Sequence, residues 1–186
     1  MKLTKSFFEN KDTVTLAQDL LWKVIIVNTK DWIIKAMINE TEAYIEDDEA
    51  SHSYMWKKTL RNEVMFREFW HIYVYFTYWM YHCMNIVSEK EWYWSAILIR
   101  SVIPMKWSDL MINNRKWKDK KISQLSNGPA KVCIALGIDK MHNWLNIFDE
   151  NSEIYLEDVG YKAQKIYTSC RIGISKAKEK NWRFYF

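Results

Sequence analysis

The run from Ile33 to Tyr44, Ile-Ile-Lys-Ala-Met-Ile-Asn-Glu-Thr-Glu-Ala-Tyr, constrains the fold more than any other stretch of the chain. It is rich in apolar and β-branched residues and contains neither Gly nor Pro, so it predicts a long strand. Val24 to Val27 predicts its hairpin partner across a turn at Asn28 to Trp32. Side chains on a strand alternate faces, which sends Glu40, Glu42 and Tyr44 one way and Thr41 and Ala43 the other. Two carboxylates and an aromatic ring then share a face. A carboxylate beside a ring is what an enzyme needs to hold a flat aromatic group and activate a water next to it. The same residues also fit a polar strand face with ordinary surface acids, and the pattern alone leaves both readings open.

Around this run, helical and strand patterns interleave without strict βαβ alternation. Thr15 is a candidate cap for a helix reaching about Leu21, with Leu16, Leu20 and Leu21 as its apolar stripe. Helical patterns also cover 61–69, 108–115 and 130–136, the last opened by Gly128-Pro129 and closed by Gly137. Asp47 or Asp48 can cap a short helix through His52, or the acid run from Glu46 to Glu49 can be a solvated loop. Strand patterns cover 71–78, 95–103, 154–156, 169–174 and 183–186, with Pro104 expected to break the second of these. No repeat, low-complexity segment or linker interrupts the 186 residues. The expectation is one α+β domain with a mainly antiparallel, strongly curved, barrel-like sheet flanked by helices.

Composition narrows the class further. A net charge of +4 permits nucleic-acid binding, for which a basic patch matters more than a total. No stretch approaches the ~20 apolar residues of a membrane helix, and the first residues carry no apolar run of signal-peptide length, so a soluble, cytoplasmic protein is expected. Cys83, Cys133 and Cys170 are odd in number and widely spaced, which argues for reduced thiols over a disulfide framework or a thiolate metal site. His52, His71, His82 and His142 have no metal-ligand spacing. Neither a metal nor a cofactor is therefore expected. One imbalance stands out: the chain has 11 Trp and only 4 Gly, and several of those Trp occupy places where a turn asks for a small residue.

Two further stretches are candidates for chemistry. Tyr73-Val-Tyr-Phe-Thr-Tyr-Trp-Met-Tyr81 can present rings that stack on bases, with a side chain at a hairpin tip wedged between base pairs. It can equally be an aromatic core stripe. Arg61 and Asn62 flank this segment. Arg115, Lys116, Lys118, Lys120 and Lys121 form the densest basic run, a candidate phosphate contact or a solvated face.

The order of segments is more specific than any one of them. Glu40-Thr-Glu-Ala-Tyr44, Asp48-Glu-Ala-Ser-His-Ser53, Thr59-Leu-Arg-Asn62, Met65-Phe66, Tyr73-Val-Tyr75, Tyr78-Trp-Met-Tyr81, Cys83-Met-Asn85, Leu98-Ile-Arg100 and Gly128-Pro-Ala-Lys131 follow one another along the chain. In order and spacing they resemble the alkyladenine (3-methyladenine) DNA glycosylase family, over Leu16 to Phe186. The resemblance implies a monofunctional enzyme that flips a damaged purine out of double-stranded DNA and hydrolyses its N-glycosidic bond, through a hairpin that enters the duplex. It implies Glu42 as the general base acting on water. Tyr44 and Tyr75 would lie on the two faces of the flipped base, and His52 at its edge. Tyr78 would be the wedge in the base stack, and Asn85 a screen against exocyclic amino groups. Leu98 would be a pocket wall and Arg100 a water- or phosphate-positioning group. Arg61, Asn62, Lys116 and Lys118 are the candidate DNA-backbone contacts. A monomer associated with the nucleoid is expected, with no Schiff-base lysine and no strand-cleaving activity.

The chain departs from the family in an ordered way. Trp22, Trp32, Trp56, Trp70, Trp79, Trp92, Trp94, Trp107, Trp117 and Trp144 fall at or near positions where the family reads Gly or a turn residue, whereas Trp182 fits the pattern as Trp. With glycine at those ten, the glycine share reaches the usual ~7%. A genetic code in which UGA means glycine accounts for all ten; genuine tryptophans are the alternative. The family also continues a few residues beyond Phe186, so a longer C-terminus is expected. Real tryptophans would favour a second reading, a catalytically inactive nucleic-acid-binding module of the same fold. A carbohydrate glycosidase using Glu40 and Glu42 lacks any sugar-site signature.

Overall fold

The computed structural model describes residues 1–67, 70–77, 79–90, 93–106, 108–116, 121–161 and 165–186. The predicted long strand is present as β2 (Ile33–Tyr44), after β1 (Val24–Asn28), and it is the strand with the most neighbours. One edge pairs with β1, while the other pairs with β5 (Ala96–Lys106); near its end, Glu40 to Glu42 also pair with β8 (Arg183–Tyr185). The sheet order is β3 (Ile72–Thr77), β4 (Tyr81–Val87), β5, β2, β1, β6 (Ile154–Glu157), and β7 (Tyr167–Ser169) pairs with β8. Every pairing is antiparallel, and the sheet curls into a half-barrel. A strand that leaves one partner and gains another must bend to do so, and a bent sheet encloses a concave face.

Four α-helices accompany the sheet among the described residues: α1 (Lys5–Phe8), α2 (Thr13–Asp19), α3 (Ser108–Asn114) and α4 (Pro129–Leu136). None is long and apolar enough to cross a membrane. Asp12, not Thr15, caps α2: its carboxylate accepts from the Thr15 N–H at 2.8 Å. An aspartate at this place also interacts favourably with the helix dipole. Leu16, Leu20 and Leu21 are buried as the apolar stripe predicted. α4 begins at Pro129 and closes on Gly137 at φ 72°, the left-handed turn that glycine adopts without a Cβ penalty. Around these elements lies a continuous apolar core, in which β1 is buried from Val24 to Val27. Each such side chain contributes about 1.5–3 kcal/mol.

Several expectations change. Pro104 does not end its strand: β5 runs on to Lys106, because Pro104 faces Ala36 next to a register shift where a missing N–H is tolerated. The helix predicted over 61–69 is only a 3₁₀ turn, Glu63–Phe66, among the described residues. Asp48 caps no helix; it is consumed in an ion pair described below. The strand predicted at 169–174 is confined to Tyr167–Ser169, and β4 was not anticipated because it follows its hairpin partner so closely. Val64, Met65, Phe66, Tyr73, Val87, Trp94 and Ala96 form a second apolar cluster, with Tyr75 packed against it.

The tryptophans show a backbone regularity. Of the seven described tryptophans outside the C-terminal pattern, Trp22, Trp56, Trp70, Trp79, Trp94 and Trp144 have φ between 41° and 81°, and only Trp32 does not. Non-glycine residues adopt such angles only a few per cent of the time, at a cost of roughly 1–2 kcal/mol each. Trp92, Trp107 and Trp117 lie outside the described residues. Trp94 carries a second cost, since its indole N–H is buried without a hydrogen-bond partner.

Candidate active site

Alternation along β2 places Glu40, Glu42 and Tyr44 on one face, as the sequence predicts. Glu42 is fully buried. Its Oε1 accepts from the Ile172 N–H at 2.8 Å and lies 3.2 Å from Arg100 Nη1, while its Oε2 accepts from the Tyr44 hydroxyl at 2.7 Å. A buried carboxylate without such donors would be strongly destabilising. Here each oxygen is met.

Arg100 reaches Glu42 because of an irregularity in the sheet. Across β2 and β5, Ile38 pairs with Val102, Glu40 with Ser101 and Thr41 with Ile99, which leaves Asn39 and Arg100 out of register. A bulge of this kind re-aims the extra side chain. Arg100 thereby sets Nε 2.9 Å from Glu40 Oε1 while Nη1 addresses Glu42. Burial alone would lower its pKa, yet the carboxylates of Glu42 and Glu40 outweigh that and hold it above its ordinary range. Glu40 Oε1 also accepts from Arg183 Nε at 2.6 Å.

Over this floor opens a cavity of about 670 Å³. Tyr44, His52, Tyr75, Asn85, Leu98 and Arg100 all line it, drawn from β2, the loop after it, β3, β4 and β5. Glu42 is not on the wall; its oxygens are held by three residues that are, Tyr44, Arg100 and, through its backbone N–H, Ile172. The His52 ring meets Tyr75 edge to face at 4.6 Å, and its Nδ1 lies 2.9 Å from the Tyr73 hydroxyl. Asn85 Nδ2 donates to the Tyr73 carbonyl at 3.1 Å, which fixes its amide plane.

The protonation states follow from this packing. Burial raises the hydroxyls of Tyr73 and Tyr75, and burial followed by the Glu42 charge raises that of Tyr44, so all three are neutral at pH 7. His52 is pushed down to about 4 by the surrounding protein and then by the Arg61 cation. The residue as a whole keeps more than a third of its surface open, which weakens the burial contribution, but both influences favour the neutral imidazole.

The expected DNA-backbone residues divide. Arg61 lies over the Tyr75 ring at 4.8 Å and lines the cavity. Asn62 is buried: its Oδ1 accepts from the N–H and hydroxyl of Thr59, and its two Nδ2 hydrogens go to the carbonyls of His52 and Lys57 at 2.8 and 2.7 Å. No donor is left for a phosphate, so Asn62 holds the His52 loop in shape instead. Lys116 is exposed at the end of α3 and does not line the cavity. Tyr78 and Lys118 lie outside the described residues. Beside Tyr78, β3 and β4 pair as far as Thr77 and Tyr81, and Phe76, Trp79 and Met80 are exposed there.

Sequence reasoning missed Arg171. It is buried and donates from Nη1 and Nη2 to the buried Asp48 carboxylate and from Nη1 to the Ala43 carbonyl, with its guanidinium 4.6 Å from the Tyr44 ring. This pair fastens the segment Ile172 to Lys176, which closes one side of the cavity, onto the end of β2. The partners are 123 residues apart, so no local pattern could have joined them. Asp48, within a quoted motif, was the only signal. Among the described residues, no three His, Cys, Asp or Glu side chains group to hold a metal ion.

Comparison with known proteins agrees with this geometry. The family model for methylpurine-DNA glycosylase matches residues 6–186. A protein of Clostridium perfringens (strain 13 / Type A) named "Putative 3-methyladenine DNA glycosylase" is 41% identical over all of this chain and 95% of its own length. Proteins of the same name from Alkaliphilus oremlandii (strain OhILAs) and Chlamydia pneumoniae are 40% and 38% identical, over 100% and 98% of this chain and 95% and 93% of their own lengths. A bulged carboxylate–arginine floor under an aromatic cavity, and similarity along the whole chain, lead to one assignment: the chain belongs to the methylpurine-DNA glycosylase family.

Proposed function

We propose that this DNA glycosylase, a hydrolase acting on N-glycosidic bonds, removes alkylated or deaminated purines of the 3-methyladenine, 7-methylguanine and hypoxanthine class from double-stranded DNA. The damaged nucleotide leaves the stack, Tyr78 fills the gap, and the base enters between Tyr44 and Tyr75 with His52 at its edge. Glu42 takes a proton from a water that Arg100 orients. The water oxygen bonds to C1′ as the C1′–N bond breaks, and the bonding pair leaves with the purine. Abasic DNA remains.

The transition state resembles an oxocarbenium ion, so the Glu42 carboxylate stabilises developing positive charge while it activates water. A cationic alkylated purine departs as a neutral base, and for such substrates selectivity rests largely on the pocket. Asn85, with its amide fixed on β3, faces the cavity as a screen against exocyclic amino groups. The backbone is gripped by Arg61, Lys116 and Lys118.

What carries this reading is the buried Glu42 carboxylate held by Arg100 and Tyr44, both of which line the aromatic cavity. Single-turnover release of hypoxanthine and 3-methyladenine from duplex DNA tests it. Glu42→Gln is expected to lower the rate by about 10²–10⁴, the scale of general-base catalysis, with DNA affinity retained. Excision unaffected by that change would reject Glu42 as the base. Binding without excision by the unaltered chain would mark an inactive nucleic-acid-binding module instead.

A further inference from the structure

We propose that Glu40 is a positioning residue for Arg100, acting on the reaction through that guanidinium; this rests on the assignment of Glu42 as the base. Glu40 is not on the cavity wall. Its Oε1 is shared between Arg100 Nε and Arg183 Nε, and the three side chains keep only 15%, 11% and 21% of their surface. A guanidinium is a planar fork, so fixing Nε fixes the direction of both Nη groups. Arg100 needs that restraint more than a regular strand residue, because it is the out-of-register member of the bulge. With Nε engaged on Glu40, Nη1 meets Glu42.

The charges make the same point. Glu40, Glu42, Arg100 and Arg183 form two anions and two cations in mutual contact. Tyr44 on its own strand donates to Glu42 and Cys83 on β4 feels its charge, while Arg171, in the loop after β7, lies over the Tyr44 ring. Without the Glu40 charge the cluster carries a surplus cation beside Glu42. That surplus opposes the positive charge of an alkylated purine and of the transition state.

The test is single-turnover excision of 7-methylguanine, which is cationic, and of hypoxanthine, which is neutral, by the full-length protein. Glu40→Gln is expected to slow both by about ten- to a hundredfold, as misplacement of a catalytic partner does. It should slow 7-methylguanine release more than hypoxanthine release. Glu40→Asp should recover part of the rate. Arg183→Gln, which leaves the Glu40–Arg100 pair intact, should retain most of it. A Glu40→Gln rate within twofold of the unaltered chain would overturn the proposal. So would an equal loss on both substrates, the mark of a merely structural role, which a parallel melting curve would register. Retained activity in Glu42→Gln would instead overturn the assignment of the base, whatever Glu40 does.

An independent observation carries a second inference. We infer that the protein as its organism makes it has glycine at Trp22, Trp56, Trp70, Trp79, Trp94 and Trp144, from UGA codons read as glycine. All six sit in the left-handed region, where Gly137, Gly160 and Gly173 of this chain also sit, while Trp182, which fits the family as Trp, does not. Two of the six, Trp56 and Trp79, are exposed and follow the cavity-lining His52 and Thr77 closely in the chain. Glycine in place of the 94% exposed Trp79 gives a slim hairpin tip beside Tyr78, and in place of Trp56 a slim loop beyond His52. Two measurements decide it: the codons at the six positions, and the masses of the corresponding peptides from the native organism. UGA codons with glycine masses are expected. UGG at most positions, or tryptophan masses from UGA, would overturn the inference. In recombinant protein Trp79→Gly, at the exposed tip, is expected to raise the melting midpoint, and Trp182→Gly to lower it; a lower midpoint for Trp79→Gly would count against glycine.

Discussion

At the cavity floor, Glu40, Glu42 and Asp48 each meet an arginine brought from a distant part of the chain. At the turns, six bulky indoles hold backbone that L side chains resist. The floor joins β2 to β5, β8 and the loop after β7, so every polar group there is fixed from two or more directions. The exposed tip at Trp79 is held only through β3 and β4, which it joins. Precision at the floor therefore comes from cross-links, and what a turn residue contributes is chiefly permission for the backbone to reverse. A side chain can be exchanged at that exposed tip with gain, whereas at the floor a single exchange strands its partner.

Breaking the Arg171–Asp48 cross-link should have the largest effect on stability. Arg171→Met leaves the buried Asp48 carboxylate with only the more distant Lys180 Nζ, 4.0 Å away, and denaturant unfolding is expected to show a loss of about 3 kcal/mol. The double variant Arg171→Met/Asp48→Leu should recover most of it. A loss below 1 kcal/mol for the single variant would mean that the floor is not held by this pair. The turns should respond with the opposite sign. Trp79→Gly, at an exposed tip with nothing to lose from the core, is expected to gain roughly 1 kcal/mol. Loss of stability there would erase the contrast between the two regions.

The smallest effect concerns pH. His52 is held below its unfolded value, so between about 6.5 and 4 the unfolded chain binds more protons than the folded one. Its contribution to stability is complete above 6.5 and is lost as the pH falls towards 4. His52→Asn should therefore flatten the decline in stability over that window and leave stability at pH 8 nearly unchanged, as read from melting midpoints. An identical slope in both proteins would show that the imidazole is freely solvated.

The strand face of Glu40, Glu42 and Tyr44 was legible because a two-residue period fixes it whatever the surroundings. So were the closure of α4 at Gly137 and the family motifs that name the cavity residues. Asn62 was misjudged because polarity in sequence does not tell an exposed amide from one that holds a loop together. Pro104 was misjudged because a register shift, which makes it harmless, is a property of two strands. The glycine deficit was visible in composition, but its meaning needed backbone angles.

The sequence by itself determined the long strand, the order of its chemical groups and the family to which they belong. These depend on local periodicity and on the succession of motifs. The tertiary structure alone decided that Arg100 is the bulged residue, that Glu40 grips it, and that Arg171 closes the cavity through Asp48. Those facts depend on which residues distant in the chain become neighbours, and on how a curled sheet staggers its strands to bring them there.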